Sequence, residues 1–312
     1  MKVIERNNDT KDVLLELVAV TFLATGGIFV KLSELPPVST GFYRVLFSIP
    51  LLLPLAYKGL KSLTKKDLLI LLLAGSFLAG DVALWNLSFS YTSVANANLL
   101  TNLTPFTVIP ISYFLFKEKI PKLFFLGAAI TLIGLFVLIG GKINPSKPNY
   151  IGDFLAFCAS FFYASFLLIS YRLRDRYSSS VIMFVSGFGS ALTLAIIAYF
   201  VEGIHIPHGL KELWPLLGLT LCLQVIGHNL LAHCQGNINV NLSAIICLCQ
   251  PAIACLYSLY IFGEIISTKE IIGIVIIMIG VYLVKSQYTT RQSLKQKVLN
   301  LNKIKKSGEV QQ

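Results

Sequence analysis

The stretch Tyr91–Lys119, YTSVANANLLTNLTPFTVIPISYFLFKEK, governs how the whole chain is read. It is long enough to cross a bilayer, yet its first half carries Asn96, Asn98, Thr101 and Asn102, and Pro105 and Pro110 interrupt it. Hydrocarbon holds no water to satisfy amides or broken backbone bonds. Such a segment belongs inside a bundle or beside a wet cavity. The same design returns 146 positions later as NINVNLSAIICLCQPAIACLYSLYIFGEI, from Asn237 to Ile265. Val94 matches Val240, Pro105 matches Pro251, Ser112 matches Ser258, and Phe116, Glu118 and Ile120 match Phe262, Glu264 and Ile266. Gly127 and Gly134 match Gly273 and Gly280. The chain reads as a duplicated unit with this stretch at the centre of each copy.

Composition sets the class. Of 312 residues, 55% are hydrophobic and 13% charged, with a mean hydropathy of +0.74. Soluble domains carry about 25% charge, so this chain has too little polar surface to cover a soluble core. It reads as a multi-spanning membrane protein. The net charge of +11 does not point to nucleic acid, because the Lys and Arg residues sit in short loops and the tail. That is the pattern of membrane topology and lipid contact. The six cysteines lie in or beside apolar runs, without the spacing of a disulfide framework or zinc site. The start, MKVIERNNDTKD, is too polar for a cleaved leader, so Val13 opens the first retained span.

The apolar runs predict ten helices, over 13–33, 38–57, 67–90, 94–116, 121–140, 150–171, 180–201, 212–233, 240–262 and 268–285. Each is near the ~20 residues that hydrocarbon thickness requires. Basic residues cluster after the second helix (Lys58, Lys61, Lys65, Lys66), the fourth, the sixth and the last, while the alternate loops hold few. Both termini are therefore expected in the cytoplasm. Five helices per copy is an odd number, so the second copy starts from the opposite face. An inverted repeat follows, the arrangement of secondary transporters with a site near the midplane. The expected organisation is a cytoplasmic segment 1–12, repeats at 13–140 and 150–285, and a basic cytoplasmic tail 286–312.

Polar residues inside the spans mark the candidate site. Asp81 and Trp85 share a face of the third helix, four residues apart. Asp81 suits a substrate amine or a proton; the competing reading is a helix cap near the surface. Asn98, Thr101, Asn102 and Pro105 form one polar stripe ending at a kink. Gln224 and His228 share a face of the eighth helix, and Asn229 and His233 follow. Ser243, Cys247 and Gln250 precede Pro251 in the ninth. Trp85 and Tyr163 suit aromatic walls or plain packing. Asn98, Asn102, Asn229 and Gln250 suit amide contacts to a zwitterion or hydrogen bonds between helices. His228 aligns beside Asp81 under the repeat offset and reads as sharing a proton with it or as bonded to backbone. Arg44 reads as snorkelling or as pairing with helix-end carbonyls. Glu118 and Glu264 read as caps, the paired glycines of the fifth and tenth helices as packing surfaces, and the loop histidines His205 and His208 as weak metal candidates.

On these residues the chain resembles the drug/metabolite transporter superfamily, of the ten-helix EamA type. The resemblance rests on WNLSFSYTSVANANLLTNLTPFTVIPISYFLFKEK, on its echo SAIICLCQPAIACLYSLYIFGEI, on the glycine-bearing runs LGAAITLIGLFVLIG and IGIVIIMIGVYLV, and on GDFLAFCASFFYASFLLISYRL. It covers roughly residues 13 to 285. Where that family commonly has Trp-Gly in its first helix, this chain has Thr25-Gly26, and in the sixth it has Tyr163-Ala164. The resemblance implies a bacterial inner-membrane carrier moving amino acids or other small metabolites, often outward.

The fold expected is all-α and membrane-embedded, ten transmembrane helices as two inverted five-helix repeats. The function expected is secondary transport by alternating access around a cavity lined by the first, third, fourth, sixth, eighth and ninth helices. The alternatives are uptake of a nucleoside-like or vitamin-like solute and an integral-membrane lipid enzyme. No nucleophile–base set and no phosphate-binding GxxxxGK[ST] loop is present in the sequence. No cofactor, metal or nucleic acid is expected. Small metabolites and membrane lipid are the expected partners, and a homodimer stays open.

Overall fold

The computed structural model describes residues 9–88, 91–92, 94–117, 120, 122–140, 150–203, 205–263 and 266–287. Among these, ten helices are long and apolar enough to cross a membrane. They run over Thr10–Leu32, Pro37–Leu60, Lys65–Ser88, Leu99–Phe116, Lys122–Ile139, Tyr150–Leu173, Ser179–Val201, Gly209–Cys234, Val240–Ile261 and Thr268–Gln287. Large apolar side chains such as Leu69, Phe114, Phe200 and Tyr260 are exposed around the outside, as lipid contact requires. The chain is a multi-pass membrane protein.

Local chemistry sets the helix ends. Pro36 and Pro37 open the second span, where a missing N–H costs nothing. Ser178 caps the seventh span by accepting from Val181 N at 3.4 Å, and Asn239 caps the ninth by accepting from Asn241 N at 2.9 Å. The fourth and ninth spans both close on a left-handed residue, Lys117 at φ 52° and Gly263 at φ +67°. These two positions are related by the 146-residue offset. The second copy uses the residue that adopts this conformation freely; the first holds a lysine there.

Packing follows a two-fold pattern. The third span packs on the sixth and the eighth on the first; the third also packs on the seventh and the eighth on the second. The fourth packs on the sixth and the ninth on the first, while the second and seventh, and the fourth and ninth, meet each other. Exchanging each span with the one five places later reproduces the scheme. Since consecutive spans are antiparallel and five is odd, the two repeats are inverted relative to one another.

The fifth and tenth spans show the pattern most closely. A Cβ on Gly280 would stand 2.8 Å from Gly127 O, and one on Gly134 would stand 3.0 Å from Gly273 O. The two contacts are symmetry mates under the offset. Backbones touch here, and glycine is what permits it. The expected caps Glu118 and Glu264 lie outside the described residues, as does most of the basic tail.

Candidate functional site

The fourth and ninth spans are each broken once. Helix Val94–Thr101 stops before helix Thr104–Phe116, and helix Val240–Cys247 stops before helix Gln250–Phe262. The breaks, at Asn102–Leu103 and Leu248–Cys249, coincide under the repeat offset. Each lies just before a proline, which has no N–H to give the carbonyl four residues back. In the first copy Thr104 Oγ1 takes over that carbonyl, donating to Thr101 O at 2.8 Å. The eighth span is wound as a π-helix over Leu219–His228. Such wide turns are uncommon and recur at functional sites. Within it, His228 Nδ1 donates to Leu223 O at 3.1 Å, and the ring meets the edge of Phe166.

These irregular segments surround one cavity of about 150 Å³. That volume is about what one benzene ring needs. Six of the sequence candidates line it: Asp81, Trp85, Asn102, Tyr163, His228 and Gln250. Gln250 also donates from Nε2 to Leu23 O at 3.4 Å. Asn229 does not line the cavity; its amide exchanges hydrogen bonds with Ser180 Oγ at 3.4–3.5 Å, on the seventh span. The helix turn that aims His228 inward aims its neighbour elsewhere. For Asn98 the helix is described but the side chain lies outside the described residues.

Arg44 corrects the sequence reading. It neither snorkels nor pairs with a helix end. It lines the cavity and is 7% exposed, and its Nε and Nη2 have no hydrogen-bond partner. The second span thereby joins the six expected to form the walls. Asp81 faces the same cavity from the third span, with Oδ1 buried and also without a partner. Each feels the other's charge, yet those atoms are not bonded to one another. Gln224, on the π-helix, is also fully buried with both amide atoms unpartnered, but it does not line the cavity as Arg44 and Asp81 do. Buried polar groups in native proteins are nearly always satisfied, so unpartnered ones gathered around one cavity describe the complement of a polar solute. The signal for Arg44 was present in the sequence: a charge inside an apolar run is a site residue by default.

A second residue had the same signal and went unread. Glu16 lies within VLLELVAV of the first span and is fully buried. Its Oε1 accepts from Ser243 Oγ of the ninth span, and Oε2 has no partner. In the loop between the seventh and eighth spans, His205 O accepts from Tyr43 Oη at 2.9 Å and His208 N donates to Glu212 at 2.6 Å. Among the described residues, no group of three or more His, Cys, Asp or Glu stands ready to hold a metal.

The model of the EamA-like transporter family matches residues 10–140 and again 150–286. An uncharacterized transporter of Clostridium kluyveri is 27% identical over 272 residues, covering 82% of this chain and 86% of that protein. A Salmonella typhimurium protein named as a probable amino-acid metabolite efflux pump is 22% identical over 196 residues, covering 60% of this chain and 66% of its own. A crystal structure of another protein superposes with a TM-score of 0.75 at 16% identity, over 88% of this chain and 97% of that one.

Proposed function

The chain belongs to the EamA-like transporter family, and from that premise we propose that it exports amino acids or closely related zwitterionic metabolites by alternating access. The observation that carries the reading is the opposed pair Arg44 and Asp81, each with buried polar atoms left unpartnered in one cavity. A guanidinium presents a fork that suits a carboxylate, and a carboxylate suits an ammonium group. A solute bearing both charges answers both. Uncompensated, either charge is costly to keep at bilayer depth. Trp85 and Tyr163 supply apolar walls with a polar edge, and Asn102, His228 and Gln250 supply neutral hydrogen-bonding groups. The Salmonella typhimurium relative named as a probable amino-acid metabolite efflux pump supports both the solute class and the outward direction.

The mechanism follows from the breaks. A span interrupted at Asn102–Leu103 or Leu248–Cys249 bends there more easily, because Pro105 and Pro251 each withhold one helical bond and tight turns such as Leu103 N to Leu100 O and Cys249 N to Ile246 O bridge the break. Bending both spans about the cavity exposes it to one face and then the other. In this reading the protein is a carrier rather than an enzyme. It sits in the cytoplasmic membrane with both termini inside, as the basic loops direct.

Purified protein in liposomes loaded with an L-amino-acid mixture tests the proposal. Wild type is expected to exchange external radiolabelled amino acids for the internal pool, and Arg44→Gln and Asp81→Asn to lose at least tenfold in rate while keeping the fold. If wild type moves none of them under any gradient, the proposal fails.

A further inference from the structure

Glu16 stands apart from the solute cavity and has no role in the account above. It is fully buried in the first span, against the ninth. The ninth span continues from Ser243 to Ala244 and, one turn on, Cys247, both of which line the cavity. The carboxyl group therefore lies about one helical turn from the cavity floor, on the side where the first span begins. A polar seam between the same two elements runs past it. At the end where the first span begins, Asn237 Nδ2, in the connection that leads into the ninth span, donates to Asp12 Oδ1 at 3.1 Å. Beyond Glu16 it reaches the carbonyl of Leu23, which accepts from Gln250. Glu16 is the one carboxyl along this line that is fully buried among the described residues.

The groups around it are neutral or acidic. Asp12 lies one turn earlier on its own span; Cys234 faces it from the eighth, Cys247 and Cys249 from the ninth, and Tyr163 from the sixth. Arg174, the cation beside Cys234, donates to Ala232 O at 2.9 Å and Tyr177 O at 2.6 Å. Glu16 Oε1 is taken by the Ser243 hydroxyl; Oε2 is bare. A carboxyl group in that setting has one open place, and it fits a proton.

We propose that Glu16 is the proton-binding group of this carrier. The carboxylate takes up one proton to become the neutral acid, and gives it back when the seam between the first and ninth spans opens. The seam joins the two repeats, so the motion that moves solute also changes which face Glu16 meets. One proton then travels against each solute molecule. The coupling rests on the transporter reading of the cavity, whereas the proton site itself does not.

Two measurements test it. The first uses infrared difference spectra of detergent-purified wild type minus Glu16→Gln at neutral pH. The expected result is a band from a protonated carboxyl that is absent in the variant; no such band would overturn the proposal. The second uses liposomes holding a pH-sensitive dye and an L-amino-acid mixture. Wild type is expected to move protons when labelled amino acids exchange, with a rate that depends on pH. Glu16→Gln should lose at least tenfold of the proton signal and show a flat pH profile, and Glu16→Asp should restore a pH dependence with a displaced midpoint. A pH profile in Glu16→Gln identical to wild type would overturn the coupling. If wild type shows the infrared band but moves no amino acid, the transporter reading fails while the proton site stands.

Discussion

Two crossings related by the internal symmetry have opposite characters. Where the third and seventh spans cross, a Cβ on Gly75 would stand 1.9 Å from Ser186 O, and one on Gly189 would stand 2.0 Å from Leu72 O. The backbones are in contact and nothing fits between them. The related crossing joins the second and eighth spans. There, Thr220 Oγ1 donates to Arg44 O at 3.2 Å, and Gln224 lies fully buried. The second and seventh spans start 142 positions apart, at Pro37 and Ser179, so Arg44 of the first copy stands where the second has Ser186. Duplication supplied two equivalent crossings; divergence closed one with glycine and wedged the other open with a charged side chain. The cavity is on the wedged side, which is how a nearly symmetric bundle comes to hold an asymmetric site.

The largest effect should come from forcing the closed crossing apart. Gly189→Leu places a side chain against backbone that cannot yield, so the protein is expected to lose its monodisperse peak in size-exclusion chromatography. Gly189→Ala, the milder version, should cost at least roughly 1–3 kcal/mol, read as a lowered unfolding temperature. A normal unfolding temperature in Gly189→Ala would show that the crossing is looser than described.

Emptying the wedge should act on function instead. Arg44→Gln is expected to cut amino-acid exchange at least tenfold while the unfolding temperature holds or rises, because a buried unpaired charge is removed. A comparable loss of stability would make Arg44 a packing residue and remove the contrast. Thr220→Val leaves the charge in place but removes the hydroxyl that holds the Arg44 backbone and Leu216 O. It should raise KM several-fold, in line with about 0.5–1.5 kcal/mol for one hydrogen bond. The smallest effect is expected from Asn229→Ala. Its amide faces Ser180, so exchange should stay within twofold of wild type, with a stability loss of about 1 kcal/mol. A tenfold loss of exchange would return Asn229 to the site.

Much of the architecture was readable before any coordinates. Ten runs of apolar residues announce ten spans because membrane insertion is decided by about twenty consecutive side chains, a local property. The breaks in the fourth and ninth spans were legible only in part: a proline removes its own backbone donor wherever it sits, yet Pro110, also expected to interrupt its stretch, lies inside the unbroken helix Thr104–Phe116, as Pro50 and Pro54 lie inside the second span. Asp81 and Trp85 were legible together because four residues make one turn. Asn229 shows the limit. It is polar and adjacent to His228, yet it points to the seventh span, since neighbouring residues on a helix diverge by about 100°.

The sequence by itself determined the class, the duplication and the spans, because each depends on a short window of residues or on matched windows. The tertiary structure alone decided which polar residues face one another. Arg44 meets the cavity, Asn229 meets Ser180 and Glu16 meets Ser243 because close packing sets the rotation of each helix about its axis. That rotation is settled by neighbours distant in the chain, and the glycine crossings that lock it become visible only when the spans are brought together.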